Sequence, residues 1–523
     1  MASNPGAIAH VSDATPTPET VKVADGPESS PRRRGTLALA AAATLAVLYA
    51  GLCKALLFRN LEYFESDLFS FLEMSWSWYY AGRLLHDNAY GAHHAIHNFY
   101  LLPLFSPLTI LLGAYGLIVV LVVLHLLAVL RVARTAALDL PGRLAVLAGL
   151  LCPIAYYVFD NPVWGFHPEL CYPPLAALLA VELLEGRTGR AIVVALLIVL
   201  VKEDGAVLGA AVLVAYFAGR LWSLRAGARE ERRKVVRAAF ISLLAMTVAF
   251  LVGMAVLSVA GQSLAPTQTT SSPRLLKALR ILALTLTGDA RPLQLTRLLE
   301  GLTAYAFTAA LVLLPLGRRL PRGLMLVVLS APPVIVVLAV SSAIYRFELM
   351  VWPPRLALLV GLLVACIAFA RSTPTRLASA RTTAGVVVLI AVSWGLQVLL
   401  LGHSGYSPWP RLDARALLRG GGYRASTVPP RELGFLRCVA GRLPRGLPVS
   451  APGGIVPVFH RQSIVLQGLE ANAWHPPRVR VVPPFVAAAE GKACRGPQVG
   501  DLAVEGECGL LPPVWDCGRE ADP

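Results

Sequence analysis

The sequence predicts an all-α polytopic membrane protein of about eleven transmembrane helices, followed by a small α/β extracytoplasmic C-terminal domain. Three observations predict it. Hydrophobic residues make up 56% of the 523 residues and charged residues only 15%, where a soluble domain carries about 25% charged residues. Apolar runs recur along the chain near the length of ~20 residues that a spanning helix needs. Finally, Cys438, Cys494, Cys508 and Cys517 all follow the last such run, in a stretch rich in Pro, Gly and polar residues.

The net charge of +16, from 47 Lys and Arg against 31 Asp and Glu, does not point to nucleic acid. The basic residues are not gathered on one domain but sit in short loops between apolar runs, as orientation by cytoplasmic Lys and Arg requires. Spans are expected near 37–58, 108–130, 143–159, 168–185, 190–202, 205–219, 236–260, 299–317, 323–343, 351–370 and 383–402. The loops assigned inside carry Arg32 to Arg34, Arg131 and Arg134, Arg187, Arg225 to Lys234, Arg318 to Arg322, and Arg371 to Arg381; the alternate loops are acidic or neutral, apart from a mixed loop at 261–298. The N-terminus is thus expected in the cytoplasm and the C-terminus outside, with the chain in the cell membrane.

Residues 190–219 decide that parity, because they read either as one long helix or as two short ones meeting at Lys202-Glu203-Asp204. Both flanks are basic, so both belong on the cytoplasmic side and the hairpin is favoured. Each arm is then shorter than a full crossing, which places the turn below the outer surface in a protein-lined or watery cavity.

Residues 1–35 lack a hydrophobic pattern and are expected to form a disordered cytoplasmic tail. Span 1 lies too far from Met1 for a cleavable signal and reads as an uncleaved anchor. The transmembrane domain covers 36–402, with an outer loop at 59–107. In that loop the stretch after Asp67 has helical apolar spacing, with Trp76, Trp78, Tyr79 and Tyr80 behind it, so an amphipathic helix lying at the membrane interface is expected. The tail 403–523 forms the extracytoplasmic domain, with a helix near 431–443 and strands near 447–451 and 464–467. Its four cysteines allow two disulfides in any of three pairings, of which Cys508 with Cys517 is the favoured one. Cys53, Cys152, Cys171 and Cys366 fall inside apolar runs and read as small core residues.

Ionisable groups at membrane depth are costly and mark sites. Phe166-His167-Pro168-Glu169 and Lys202-Glu203-Asp204 stand at the ends of apolar runs, and charges of opposite sign there are best accommodated in one shared polar cavity. The plainer alternative for the first motif is a helix start, with Pro in the first turn and Glu against the helix dipole. A polar turn with an internal ion pair is the plainer alternative for the second. Asp67 reads equally as a helix N-cap or as a catalytic group. Arg346 and Arg355 either hold an anion or snorkel to the interface. His86, His93, His94 and His97 have no metal-specific spacing and read as a solvated loop.

The order Ser66-Asp67-Leu68, Phe105-Ser106-Pro107, Phe166-His167-Pro168-Glu169, Val201-Lys202-Glu203-Asp204, and in the tail Val449-Ser450-Ala451 with His460-Arg461-Gln462, resembles the bacterial membrane-protein family called domain of unknown function 2079, over roughly 60–480. That family is similar in turn to the integral membrane glycosyltransferases of the C-type fold, which take sugars from polyprenyl-phosphate donors at the outer face. The resemblance implies Asp67 as catalytic base or, with Glu65, as a divalent-metal ligand. That chemistry also needs cationic groups on the departing phosphate, for which Lys202, Arg346 and Arg355 are the candidates, with His167, Glu169, Glu203 and Asp204 beside them as substrate-binding residues. The chain departs from the family at Leu104, where a His is usual two places before Ser-Pro, and at Leu72 next to Glu73, where a second acidic residue is expected. Two other classes fit the same residues: a transporter or flippase for a lipid-linked or small polar substrate, and a non-catalytic envelope assembly protein.

Overall fold

The computed structural model describes residues 30–63, 67–88, 99–136, 138, 143–144, 146–147, 150–151, 165–202, 204–224, 228–262, 413–419, 428–466, 476–482 and 493–520. The expected spans between 299 and 402, with Arg346 and Arg355, lie outside them, as do Glu65, Glu203 and the tail 1–29.

The membrane part is helical: α1 (Ser30–Arg59), α2 (Asp67–Tyr80), α3 (Ser106–Leu112), α4 (Ala114–Arg134), α5 (Tyr172–Leu184), α6 (Thr188–Val201), α7 (Gly205–Ser223) and α8 (Arg229–Gln262). Among the described residues, three stretches are long and apolar enough to cross a membrane: Arg34–Arg59, Ala114–Arg134 and Arg229–Val256. Shorter apolar helices run over Leu102–Leu112, Thr188–Val201 and Gly205–Leu221. The chain turns between α6 and α7 at Lys202, so 190–219 is a helix pair.

Two expected single spans are divided, each for a local reason. The run at 108–130 breaks at Gly113, whose φ of 61° is left-handed and suits glycine. Three residues on, a Cβ at Gly116 would stand 2.5 Å from the carbonyl oxygen of Leu108, so α4 can start this close to α3 only without a side chain there. The run at 168–185 begins as a 3-10 turn, Pro168–Cys171, and becomes α5 at Tyr172. Pro168, Pro173 and Pro174 occupy first-turn positions in the two segments, where the missing N–H costs nothing.

The charges sort to the two ends of the bundle. At one end Arg131 of α4 donates to Glu182 at 2.7 Å and to Glu185 at 2.6 Å, Arg187 meets Glu185 at 3.2 Å, and Arg143 reaches the Thr36 hydroxyl of α1 at 2.6 Å. The other end gathers the C-terminus of α1, the N-termini of α4 and α5, and the α6–α7 turn.

On that second end sits the C-terminal domain: α9 (Ala414–Leu418), α10 (Pro430–Arg442), β1 (Pro448–Ala451), a 3-10 segment (Gly453–Phe459), β2 (Ser463–Leu466), β3 (Val479–Val482), β4 (Ala493–Val499), β5 (Leu502–Glu507) and α11 (Cys517–Glu520). The sheet order is β2-β1-β3-β5-β4. Strand β1 pairs parallel with β2 (Val449 opposite Ile464) and with β3 (Val449 opposite Val479), while β5 runs antiparallel to β3 and β4. Phe435, Leu436 and Val439 of α10 are buried with the inward valines of β1, β3 and β5.

The disulfides differ from the favoured pairing. Cys438 bonds Cys517 and Cys494 bonds Cys508, with Cα atoms 5.6 and 5.0 Å apart. The reason is strand register: Cys494 lies opposite Gly506 in the β4–β5 pair, which carries Cys508 to its side, and α11 then returns under α10, where Cys438 waits. Cys53 and Cys171 are buried and take no part in either disulfide.

Candidate functional site

The α6–α7 turn and the start of α5 meet in one buried polar cluster. Glu169 is completely buried; its Oε1 accepts from Lys202 Nζ at 2.6 Å and its Oε2 from His167 Nδ1 at 2.7 Å. Beside them the Tyr172 hydroxyl donates to Asp204 Oδ1 at 2.5 Å. Lys202 sits in extended backbone (φ −168°, ψ 164°) that turns its chain back into the bundle, and Leu101 N donates at 2.8 Å to the Leu200 carbonyl near the open end of α6. A buried carboxylate with an ammonium on one oxygen and an imidazole nitrogen on the other satisfies the condition under which charge is tolerated in a low-dielectric interior. The Lys202 ammonium also lies 5.8 Å from the ring centre of Phe99. His167 and Lys202 each keep a small exposed edge, so the cluster is not sealed.

Helix α2 reaches this cluster through Phe71, whose ring meets the His167 ring edge-on at 4.8 Å and the Phe99 ring at 5.1 Å. Asp67 opens α2, one turn before Phe71. Of the sequence-derived site residues, the structure therefore brings together His167, Glu169, Lys202 and Asp204, and puts the helix that Asp67 begins against them. Among the described residues no group of three or more His, Cys, Asp and Glu side chains has metal-binding geometry.

Helix α2 does not lie with a polar face to solvent, as an interfacial amphipathic helix would. Ser70, Glu73, Ser75 and Ser77 are buried along with Leu68, Phe69, Leu72 and Met74; only at its end do Trp78 and Tyr79 emerge. The C-terminal domain meets the polar side at Glu73, while Ser75 pairs with Thr109 of α3. Glu73 accepts from the backbone N–H of Asn88 at 2.5 Å and from that of Ile464 on β2, and Asn88 Nδ2 stands 3.3 Å from Ser463 Oγ. His86, expected in a solvated loop, is buried here too, its N–H donating to Ser77.

Burial first, and the nearby Asp87 carboxylate second, push the Glu73 carboxyl from its ordinary 4.5 up to about 8, against the pull of the two N–H donors. The folded state thus holds a proton that the unfolded chain releases above 4.5. Stability from this group is full below 4.5 and falls as pH rises to about 8. The melting temperature of the wild type relative to Glu73→Gln should therefore fall between pH 4.5 and 8 and level off above it. A difference that does not change with pH would show that Glu73 is ionised throughout.

The tail motif His460-Arg461-Gln462 docks and braces. The His460 ring packs edge-on against Phe58 at 5.3 Å and Tyr115 at 5.5 Å, and its Nδ1 accepts from Ala114 N at 3.3 Å. A Cβ on Gly113 would come within 2.1 Å of that nitrogen, so the helix break on α4 is also the socket for the histidine. Burial, and then Arg461, lower the His460 pKa to about 4, keeping the ring neutral. Gln462 donates to the carbonyls of Ala440 and Leu443 at the end of α10.

The sequence reading passed over Lys54. It lies inside the α1 span, buried, with its ammonium 4.8 Å from the ring centre of Tyr63; a lysine within an apolar run was the available signal.

These features define a helical membrane protein that carries a small disulfide-bonded sheet domain at one end of its bundle and a buried ionic cluster at that same end. The chain belongs to the family described as "Predicted membrane protein (DUF2079)", whose model matches residues 59–411. The matched range ends before the tail motifs at 449–451 and 460–462. No curated protein and no solved structure matches the chain.

Proposed function

We propose that this protein is a glycosyltransferase that takes a sugar from a polyprenyl-phosphate donor at the outer face of the cell membrane, with Asp67 as its base. The observation that carries the reading is the His167–Glu169–Lys202 cluster, buried against the helix that Asp67 begins. In the reaction Asp67 takes the proton of an acceptor hydroxyl, whose oxygen attacks the anomeric carbon; the bond from that carbon to the phosphate oxygen breaks and the phosphate leaves with the electron pair. Cations disposed before the reaction stabilise that leaving charge. Lys202 supplies one, held in place by Glu169, and Arg346 and Arg355 are assigned the same role. A divalent metal at Glu65 and Asp67 is no part of these steps.

The orientation that goes with this function has a cytoplasmic N-terminus and an extracytoplasmic C-terminal domain. Two disulfides in that domain favour an oxidising compartment, and Arg131 and Arg187 gather at the opposite end of the bundle, where cytoplasmic basic residues belong.

The substitution Asp67→Asn tests the mechanism, because Asn caps a helix as well as Asp does. Sugar transfer should be lost while the polyprenyl-phosphate sugar that co-purifies with the protein, read by mass spectrometry, is retained. Normal turnover in this variant removes Asp67 from the mechanism, and lipid extracts free of any polyprenyl-phosphate sugar remove the substrate class.

A further inference from the structure

Where the C-terminal domain meets the end of α1, an open cavity of about 270 Å³ is lined by Phe58, Arg59 and Tyr115 of the helical bundle and by Arg437, His460 and Arg461 of the domain. Its three arginines come from three separate segments: the last residue of α1, the middle of α10, and the link from the 3-10 segment to β2. Among the described residues, Arg131, Arg187, Arg442, Arg478 and Arg495 each meet a carboxylate, whereas Arg59, Arg437 and Arg461 meet none, and no residue lining the cavity is acidic. Arg437 donates to the Arg59 backbone carbonyl at 3.4 Å, which holds its guanidinium at the end of α1. Three arginines thus line one cavity, and their planar donor forks match phosphate oxygens. The neighbouring His460 is neutral, which leaves the positive charge to the arginines alone.

We propose that this cavity is a phosphate-binding site for the headgroup of a membrane phospholipid. Two observations favour a lipid over a soluble phosphate. Arg59 ends the apolar stretch Arg34–Arg59, the position at which a spanning helix meets the headgroups. The volume is below the ~300–1,000 Å³ of pockets that enclose a whole drug-sized ligand, so it suits a headgroup with its chains left outside. The site uses none of the residues around Lys202 and stands whether or not the protein transfers sugars. It makes the seating of the C-terminal domain on α1 and α4 dependent on a lipid phosphate.

The test is binding to the purified full-length protein in a neutral detergent, by native mass spectrometry, with dihexanoyl phosphatidic acid and inorganic phosphate as separate probes. The lipid should bind at one site, and Arg437→Glu and Arg461→Glu should each weaken it about tenfold or more, the loss of a charge-assisted bond. Charge reversal next to His460 could also loosen the domain, so Gly441→Glu serves as the second variant. Gly441 lines the cavity, and a Cβ there meets no atom within 4 Å; the new carboxylate competes for the arginines without disturbing their packing, and it should weaken the lipid to a similar degree. Saturable binding of phosphate but not of the lipid assigns the site to a soluble phosphate and overturns the lipid assignment. Binding of neither probe, or lipid binding unchanged in Gly441→Glu and Arg437→Glu, overturns the site.

Discussion

Replacing Lys202 by Met should destabilise the protein by about 3–5 kcal/mol, because it strips a completely buried carboxylate of its nearest cation. Glu169 would keep only His167 on Oε2, while Oε1, now held by Lys202 at 2.6 Å, would face the apolar wall of Phe99. Methionine fills nearly the same volume, so the loss reports charge rather than a cavity. The check is the double variant Lys202→Met with Glu169→Gln. Removing both charges should recover most of the loss, since neutral groups of similar shape replace a buried ion pair at little cost. Melting of the detergent-solubilised protein, followed by tryptophan fluorescence, reads all three. If the double variant is no more stable than Lys202→Met, the pair is not the source of the effect.

The second large effect is expected in the tail. The Cys438–Cys517 bridge closes a separation of 79 residues and Cys494–Cys508 one of 14. On the chain-entropy account the longer loop contributes about 4–5 kcal/mol and the shorter about 3 kcal/mol. The paired variant Cys438→Ser with Cys517→Ser should therefore lower the stability of the C-terminal domain more than Cys494→Ser with Cys508→Ser. Pairing can be read directly: non-reducing digestion should yield peptides joining 438 to 517 and 494 to 508. A membrane-impermeant thiol reagent applied to intact cells after reduction should label these cysteines. Labelling that requires broken cells would place the domain in the cytoplasm.

Much of this organisation was legible along the chain. The α6–α7 hairpin followed from Arg187 and Arg190 on one flank and Arg220 to Arg237 on the other, because charge at a helix end reports its side of the membrane. The meeting of His167 and Glu169 with Lys202 followed from cost alone: the two motifs are some 30 residues apart, on consecutive helices, and a low-dielectric interior leaves few places for either. The α10 helix and the first two strands of the tail were visible as short periodic runs. Lys54 was equally open to inspection, but its partner ring is a residue of the following loop that no periodicity marks.

Glu73 shows where that legibility ended. Helical spacing identifies which side of α2 is polar, but an exposed polar face and one covered by a distant domain have the same pattern. The partner N–H at Ile464 is 391 residues away, and a backbone donor has no residue type to betray it. The same holds for His460, whose place is set by the gap that Gly113 leaves, and for the disulfides, whose pairing depends on the register of β4 and β5. By itself the sequence determined what must leave water, through hydropathy, and which charged residues must then find partners inside the bundle, through cost. Only the tertiary structure decided which distant segment covers the polar side of α2 and which cysteines meet, because those contacts depend on the shape of surfaces that local composition does not encode.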